Sequence, residues 1–544
     1  MLLLHVLDHC TRVREDFINS YGWNFYCLIL PAHATFSITH TLPARILYPT
    51  TMRLLAILTA ALPLSSGQIN PKPKISSKAL QADLKTKNLW SHLVALDKIA
   101  AANGGNRAFG LPGYAASVDY VWGEISKIKG AKAWKQDFPS LFNFVQSIEL
   151  KFNEEATYVY GLTYSPSTPD EGITGELILG PEGASGCDAA SYAALDAVGK
   201  VVLVDRFQCP VGGTLAGRVR PAAASGALAV IIYNNVGTNV TAGTLSAPSA
   251  DFVPAGFINQ ADGLALKTRL QAGESIKAYF QQDQIVEERI TQNVFLESKD
   301  GDPDNVIVLG AHLDSVQAGP GINDDGSGSA LLLELSKAVL KYKTNTKVRF
   351  AWWGAEENGL IGSKYYCSNL PVSEVNRILA YLNFDMVSKG YFGVGDTDGS
   401  SHGSRGPAGS EVIEQIYIDY YTSQGLEVTP AILTNGSDYA SFWGILNKPF
   451  GFINTGTAPA QDPCYHQACD TIDNPSQDTL IINTRAAANT IAILSIDGPN
   501  LLPRTTINAT MADTWRAAAA GADPFPLGDL VAVGETQLGC GHEV

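Results

Sequence analysis

Histidine and basic residues are scarce in this chain of 544 residues, which contains nine histidines. Only four histidines lie between residue 67 and residue 499: His92, His312, His402 and His466. The chain has 38 lysines and arginines against 53 aspartates and glutamates, a formal net charge of −15. This balance excludes nucleic acid as an expected partner, because a phosphate backbone requires a cationic surface.

Long apolar runs are also missing, although 45% of the residues are hydrophobic and 17% are charged, a composition typical of a folded globular protein. Residues 52–67, MRLLAILTAALPLSSG, have the form of a secretory signal peptide. The apolar run from Leu54 to Leu64 is too short to span a bilayer. We therefore expect no membrane association after signal removal, and a secreted protein, with the vacuole as the second choice.

This signal-like stretch begins unusually late in the chain. Residues 1–51 show no clear periodicity and mix cysteine, histidine and aromatic residues with polar breaks. We interpret them as a non-native extension and expect translation to start at Met52. A natural N-terminal peptide mapped upstream of Met52 would contradict this interpretation.

Cysteine usage agrees with export. Six cysteines follow the signal-like stretch: Cys187, Cys209, Cys367, Cys464, Cys469 and Cys540. In an oxidising compartment, disulfides such as Cys187 with Cys209 and Cys464 with Cys469 are expected. The chain also carries sequons compatible with glycosylation, at Asn239, Asn435 and Asn508.

A buried strand is predicted to end beside metal-binding side chains. Val306–Leu309 is an apolar, β-branched run, and His312 and Asp314 follow it. An imidazole at a strand end with a carboxylate two residues later is typical of a metal ligand oriented by an acid on its other ring nitrogen. Asp324 follows in a glycine-rich loop, which also differs from a phosphate-binding loop because the required lysine is missing.

Two further predicted strands end in carboxylates, and a second histidine-bearing loop follows. Lys347–Trp353 leads to Glu356 and Glu357, of which one can ligate metal while the other moves a proton. Ile378–Phe384 leads directly to Asp385. His466 lies in a short loop that a Cys464–Cys469 disulfide would close.

Helical periodicity is predicted around these strands, over Ser77–Ala102, Tyr114–Ile128 and Ser329–Tyr342. Strands are expected at Ala133–Phe138 and Ser147–Phe152. Alternating strands and covering helices predict an α/β fold.

Residues 164–284 differ in composition from their surroundings. They are rich in glycine, alanine and valine, contain short strands and lack histidine. Their ordered segments Gly186-Cys187-Asp188, GKVVLVDR at 199–206, Cys209 and IIYNN at 231–235 resemble a protease-associated (PA) domain. The resemblance implies an inserted lid or interaction module that does no catalysis.

The ordered set of His312, Asp314, Asp324, Glu356, Glu357, Asp385 and Tyr465-His466 resembles the M28 family of di-zinc aminopeptidases. The resemblance implies a three-layer αβα fold with a mixed central sheet and an inserted β-rich PA domain. It divides the chain into a peptidase domain at 68–163 and 285–498, the insertion at 164–284, and a tail of unknown role at 499–544.

The same resemblance implies specific roles. Five residues would hold two Zn²⁺ ions: His312, Asp324, Glu357, Asp385 and His466. His312 would pair with Asp385 and His466 with Glu357, while Asp324 would bridge. Glu356 would be the general base, Asp314 would orient His312, and Tyr465 would donate to the scissile carbonyl oxygen. The substrates would be peptide or protein N-termini, with a hydrophobic first residue.

Other functions stay open at this point. A carboxypeptidase or a glutaminyl cyclase on the same scaffold is one alternative, although the loops near the ligands are poor in the arginine and lysine that a substrate carboxylate would need. A non-catalytic binding protein is another, since one fold hosts many functions. The stretch Gly399-Ser400-Ser401-His402-Gly403 fits a serine-hydrolase pattern, but no apolar strand precedes it.

Overall fold

The computed structural model describes residues 71–508 together with residues 510, 511 and 514, all within one unit, Asn70–Val544. The expected extension, the signal-like stretch, Cys540 and most of the expected tail lie outside the described residues.

Strands and helices alternate along the described chain. The strands are β1 (Ala131–Phe152), β2 (Glu155–Ala156), β3 (Tyr160–Gly161), β4 (Ile173–Leu179), β5 (Val201–Asp205), β6 (Ala229–Tyr233), β7 (Ala255–Ile258), β8 (Lys277–Ser298), β9 (Asp302–His312), β10 (Thr346–Trp353), β11 (Ile378–Phe384), β12 (Gly393–Gly395), β13 (Thr429–Ala431) and β14 (Phe450–Asn454). The α-helices within residues 71–508 are α1 (Ser77–Asp83), α2 (Thr86–Ala102), α3 (Pro112–Ile125), α4 (Ala216–Ala224), α5 (Gln260–Gln271), α6 (Gly326–Val339), α7 (Ile361–Asn369), α8 (Val372–Arg377), α9 (Ser410–Ser423), α10 (Tyr439–Gly444) and α11 (Gln477–Leu501).

The central sheet is mixed and mostly parallel around its middle. The strand order is β13-β12-β14-β11-β9-β10-β8. Strand β9 pairs in parallel with β10 and β11, and β11 pairs in parallel with β14. Strands β8 and β12 run antiparallel to their neighbours β10 and β14. The carboxyl ends of four adjacent parallel strands therefore lie at one edge of the sheet.

Alternation along β9 separates two hydrophobic cores. Ile307, Leu309 and Ala311 pack on one face against helices α1, α2, α3, α6, α9 and α11. Val306 and Val308 pack on the other face against α7, α8 and α10. Because successive strand residues point to opposite faces, both faces of β9 are covered. This three-layer arrangement confirms the expected αβα fold.

Strands β1 and β8 form a long antiparallel ribbon, and β8 connects the central sheet at β10 with strands β4 to β7. The two expected strands at 133–138 and 147–152 are parts of one strand, β1, of 22 residues. Strand β8 pairs with β10 through Val294–Glu297 and with β4 through Lys277–Phe280. Beyond β4, the sheet continues through β5, β6 and β7, with their own hydrophobic clusters and the helices α4 and α5.

Other expected elements differ in their boundaries. The helix expected over 77–102 is divided into α1 and α2, because Leu84 and Lys85 are extended and Leu84 packs in the core. Helix α11 is the one helix within the described residues that is long and apolar enough to cross a membrane, and 67% of its apolar window is buried inside the protein. Its packing against the sheet is that of a core helix.

Candidate active site

Three parallel strands deliver the acidic and imidazole side chains to one edge of the sheet. His312 is the last residue of β9 and lies beside Trp353, the last residue of β10. Glu356 and Glu357 follow β10, and Asp385 follows β11. These side chains come together because their strands are adjacent and point the same way.

Asp325 locks the strand ends to the start of α6. Its carboxylate accepts hydrogen bonds from the backbone amides of Gly328 at 2.8 Å, His312 at 3.2 Å and Met386 at 3.2 Å. The first of these bonds caps the helix, while the others tie in the ends of β9 and β11. The preceding residue, Asp324, is left facing the histidines.

The carboxylate of Asp324 lies between the two imidazoles. Its Oδ1 is 3.0 Å from His312 Nε2, and its Oδ2 is 3.2 Å from His466 Nε2. His312 Nε2 is also 3.5 Å from Asp385 Oδ1, and His466 Nε2 is 3.1 Å from Glu357 Oε2. The distances thus form two groups that share Asp324.

A disulfide-closed loop carries His466 into this arrangement. Cys464 and Cys469 are bonded, and Cys187 is bonded to Cys209, so both expected disulfides are confirmed. Cys367 is a free, buried cysteine on α7. The ring of Tyr465 stacks on that of His466 at a centroid distance of 3.8 Å.

Two buried aspartates anchor the ends of the disulfide loop. Asp462 accepts a hydrogen bond from the side chain of Asn323 at 2.7 Å. Asp470 accepts hydrogen bonds from the backbone amides of Asn323 at 2.9 Å and Asp324 at 3.0 Å. Asn474 donates to both aspartates, at 3.0 Å and 2.9 Å. The loop bearing His466 and the loop bearing Asp324 are therefore one hydrogen-bonded unit.

The donor set and its spacing fit metal ions. Two ligand atoms about 2.0–2.2 Å from one tetrahedral zinc ion lie about 3.3–3.6 Å apart, close to the 3.0–3.5 Å seen here. Oε1 of Glu357 and Oδ1 of Asp385 are buried and accept no hydrogen bond from the described residues. Buried carboxylate oxygens without donors are costly unless a cation compensates them.

The carboxylate of Asp314, expected to orient His312, contacts the glutamate pair instead. His312 Nδ1 lies 3.1 Å from the backbone oxygen of Asp314 and 3.9 Å from its carboxylate Oδ1. The two carboxylate oxygens instead accept hydrogen bonds from the backbone amides of Glu356 at 3.1 Å and Glu357 at 3.3 Å. Asp314 thus contacts His312 through its main chain and holds the glutamate pair through its side chain.

Burial and mutual repulsion perturb the carboxylates. Burial, together with Glu357, raises the pKa of Asp314 to about 6. Burial, with repulsion from Glu357, Asp438 and Asp385, raises the pKa of Glu356 well above its usual range. Burial alone would lower the pKa of His466, but Glu357 and Asp324 outweigh it and raise that pKa to about 10. The site strongly favours added positive charge.

A small cavity opens onto these groups. Its lining residues are His312, Asp324, Glu356, Glu357, Asp385, Gly436, Tyr465 and His466. Every residue to which the sequence assigned a site role therefore lines the cavity, except Asp314, which lies behind the glutamates.

The other two histidines of the described chain lie in separate clusters. His92 contacts the Tyr120 hydroxyl at 2.5 Å and Glu334 at 3.1 Å. His402 Nδ1 lies 3.0 Å from Asp396, in a loop after the three-residue strand β12. The serine-hydrolase pattern centred on Ser401 therefore lacks the strand-to-helix turn that it requires.

Sequence reasoning gave no site role to several buried residues that support the cavity. Ser437 donates to Asp385 Oδ2 at 2.5 Å, and Asp438 beside it is buried. Asp325 could have been found as a helix cap before Gly326-Ser327-Gly328. Arg107 carries no local motif, and its partners lie more than 200 residues away in the chain.

Comparisons with known proteins find matches to two family models and to several relatives. Residues 293–491 match the model of Peptidase family M28, and residues 173–266 match the PA domain. Leucine aminopeptidase 2 of Trichophyton rubrum is 35% identical over 466 residues, which cover 81% of this chain and 92% of that protein.

Solved structures resemble the fold. An aminopeptidase from Aneurinibacillus sp. strain AM-1 matches with a TM-score of 0.65 and 29% identity, covering 80% of this chain and 99% of that one. A zinc aminopeptidase from Bacillus subtilis matches with a TM-score of 0.61, covering 76% and 96%, and at 23% identity it supports the fold alone. The resemblance that the motifs indicated is confirmed by the family and PA matches.

Proposed function

Because the chain belongs to peptidase family M28, we propose that it is a zinc-dependent aminopeptidase that releases N-terminal residues from peptides. The observation that carries this proposal is the placement of Asp324, whose two carboxylate oxygens each face a different imidazole at 3.0 and 3.2 Å. Such a carboxylate can bridge two cations.

The two groups of side chains are the proposed metal sites. His312 and Asp385 would hold one Zn²⁺, His466 and Glu357 the other, and Asp324 both. When bound, the ions would supply Lewis acidity for the scissile carbonyl and lower the pKa of the attacking water. Buried Oε1 of Glu357 and Oδ1 of Asp385, which accept no hydrogen bond from the described residues, support this assignment.

Glu356 is the proposed general base. It lines the cavity next to Glu357, and its Oε2 lies 3.9 Å from His312 Nε2. Burial and neighbouring carboxylates raise its affinity for a proton, as a base that takes a proton from water and passes it to the leaving amine requires. The backbone amides of Glu356 and Glu357 donate to the Asp314 carboxylate, which holds the main chain of both glutamates in place.

The cavity favours a substrate with a free amino group. None of its lining residues among the described part of the chain is lysine or arginine, whereas four are carboxylates. Because two bound Zn²⁺ ions would balance these four carboxylates, the deciding feature is that a C-terminal carboxylate would find no lysine or arginine to pair with among the lining residues. This favours an aminopeptidase over a carboxypeptidase. Tyr465, at the cavity wall, is the proposed donor to the scissile carbonyl oxygen.

Further parts of the proposal concern specificity, cellular location and domain boundaries. A hydrophobic first residue is proposed because the Trichophyton rubrum relative is named a leucine aminopeptidase. Export is proposed because of the signal-like stretch at 52–67 and the two disulfides. Domain boundaries at 164 and 284 are proposed for a PA insertion within the peptidase domain.

The test uses protein expressed from Met52 and a leucyl arylamide substrate. Metal is counted per chain, and hydrolysis is measured with and without a chelator, beside a Glu356→Gln variant. We expect about two zinc ions per chain, chelator-sensitive hydrolysis, and a variant that keeps its metal but loses activity. Metal-loaded protein that cleaves no substrate with a free amino group would refute the proposal.

A further inference from the structure

Arg107 is a fully buried cation that contacts the loop between His312 and Asp324. It lies between α2 and α3, and its relative exposure is 0%. Its guanidinium donates to three backbone carbonyls of that loop: to Pro320 at 2.8 Å, to Gly321 at 2.5 Å, and to Leu313. A single side chain thus spans both ends of the loop.

The main chain of Arg107 contacts the same loop through Ser315. Its amide donates to Ser315 Oγ at 2.9 Å, and its carbonyl accepts from the Ser315 amide at 3.4 Å. Ser315 Oγ in turn donates to the Gly319 carbonyl at 3.0 Å. The loop therefore folds around Arg107, which supplies donors to the Leu313 and Pro320 carbonyls and a second donor to the Gly321 carbonyl, which also accepts from the Gly326 amide at 3.0 Å.

The surrounding charge explains how this cation can be buried. Burial lowers the pKa of Arg107, while Asp314, Asp470, Asp325 and Asp324 oppose that effect in this order. Arginine keeps its charge when buried and presents its donors in a rigid planar fork, whereas lysine offers a single ammonium centre. The three carbonyls accept from three different nitrogens, Nε, Nη1 and Nη2. A planar guanidinium presents these donors at separate positions, and a single ammonium nitrogen does not.

We propose that Arg107 is a positioning residue that fixes the loop from Leu313 to Gly321, and so sets the separation of His312 and Asp324 and the affinity of the site for zinc. This inference rests on the proposed function, because it concerns the same metal site. Residues that orient metal ligands typically change metal affinity by about 10- to 100-fold when they are replaced.

Arg218 offers a matched control within the same chain. It is also buried, with 0% exposure. Its guanidinium donates to the carbonyls of Asp205 at 2.9 Å, Gly183 at 2.8 Å and Pro181 at 3.0 Å. These contacts lie in the segment that matches the PA domain, away from the cavity. Replacing Arg218 removes a comparable buried fork without touching the loop at His312.

The experiment compares zinc affinity in wild-type protein, Arg107→Lys and Arg218→Lys by competition with a chromophoric chelator, with near-ultraviolet circular dichroism as the check on folding. We expect Arg107→Lys to bind zinc about 10- to 100-fold more weakly, and Arg218→Lys to stay within about twofold of wild type. A folded Arg107→Lys protein with wild-type affinity, or an equal loss in Arg218→Lys, would overturn the inference.

Two further outcomes are separated by the same measurements. Wild-type protein that binds no zinc would refute the proposed function itself. If Arg107→Lys does not fold, Ser315→Ala decides, because this smaller change removes the acceptor of the Arg107 amide and the donor to Gly319. A folded Ser315→Ala protein with a lower zinc affinity supports the positioning role, and an unchanged affinity overturns it.

Discussion

Replacing Asp470 by asparagine tests how the backbone of Asp324 is held. The carboxylate of Asp470, 1% exposed, accepts from the Asp324 amide through Oδ2 at 3.0 Å. Its Oδ1 accepts from the Asn323 amide and from the Asn474 side chain, both at 2.9 Å. In the asparagine variant, the side-chain oxygen would keep the position of Oδ1 and its two hydrogen bonds. The NH₂ group would then take the position of Oδ2 and point at the N–H of Asp324, which would lose its acceptor.

The magnitude follows from one buried donor left without an acceptor. Such a group costs about 1–3 kcal/mol, equivalent to about 5- to 150-fold in an equilibrium constant. Because Asp324 faces both imidazoles, the loss should reach zinc affinity and kcat/KM alike. Burial raises the pKa of Asp470 to about 7, so the assay belongs at a pH well above that value, where the wild-type carboxylate is charged.

The assay is zinc affinity by chelator competition together with kcat/KM on a leucyl arylamide. Asp396→Asn is the matched control, because Asp396 is equally buried and accepts from the backbone amides of Ser401 and His402, in the loop that does not line the cavity. We expect the control to keep wild-type zinc affinity. A folded Asp470→Asn protein with unchanged zinc affinity would refute the reasoning.

Three other predictions concern the disulfide loop, the packing of α6 and the carboxylate of Glu334. Replacing Cys464 and Cys469 together by serine should destabilise the loop of His466 by about 2 kcal/mol, because the short disulfide loop no longer restricts the unfolded chain. Zinc binding should become weaker as a result, and equal zinc titrations of variant and wild type would contradict this. Leu332→Ala, at a fully buried position of α6, should lower the free energy of unfolding by about 2–5 kcal/mol, measured by urea denaturation. An unchanged free energy of unfolding would show that α6 is not packed as described. Burial would raise the pKa of Glu334, but hydrogen bonds from His92, Asn88 and Lys337 lower it from 4.5 to about 2. The stabilisation by the Glu334 carboxylate is therefore complete above pH 4.5 and lost as the pH falls towards 2. In acid denaturation without zinc, Glu334→Gln should therefore lose less stability over that interval than the wild-type protein. Parallel stability curves for the two proteins would contradict the lowered pKa of Glu334.

Local sequence patterns predicted the parts of the site that stand at strand ends. The apolar run Ile378–Phe384 matches β11 residue for residue, and Asp385 follows it as expected. The β-branched run before His312 and the aromatic run before Glu356 likewise correspond to β9 and β10. Strand periodicity is a short-range property, so a carboxylate or imidazole directly after such a run can be located without knowledge of the fold.

The supporting contacts could not be predicted in this way, because they depend on long-range packing. Arg107 reaches loop carbonyls 206, 213 and 214 residues further along the chain. Asp470 binds amides 147 and 146 residues earlier. The division of the helix expected over 77–102 has the same cause, since Leu84 turns into a core formed by distant segments. Tertiary context decides these contacts, and no periodicity encodes them.

In the loop that carries Asp324, Arg107 binds backbone carbonyls and Asp470 binds backbone amides. The carbonyls of Pro320 and Gly321 point to the guanidinium of Arg107. The next three amides point to Asp470: the amide of Ile322 donates to its backbone oxygen at 3.0 Å, and those of Asn323 and Asp324 donate to its carboxylate. Since these two residues satisfy five consecutive backbone groups of the loop, the Asp324 carboxylate is not needed to bond to any of them. Both of its oxygens are thereby free to face the two histidines, which is the placement a bridging ligand requires.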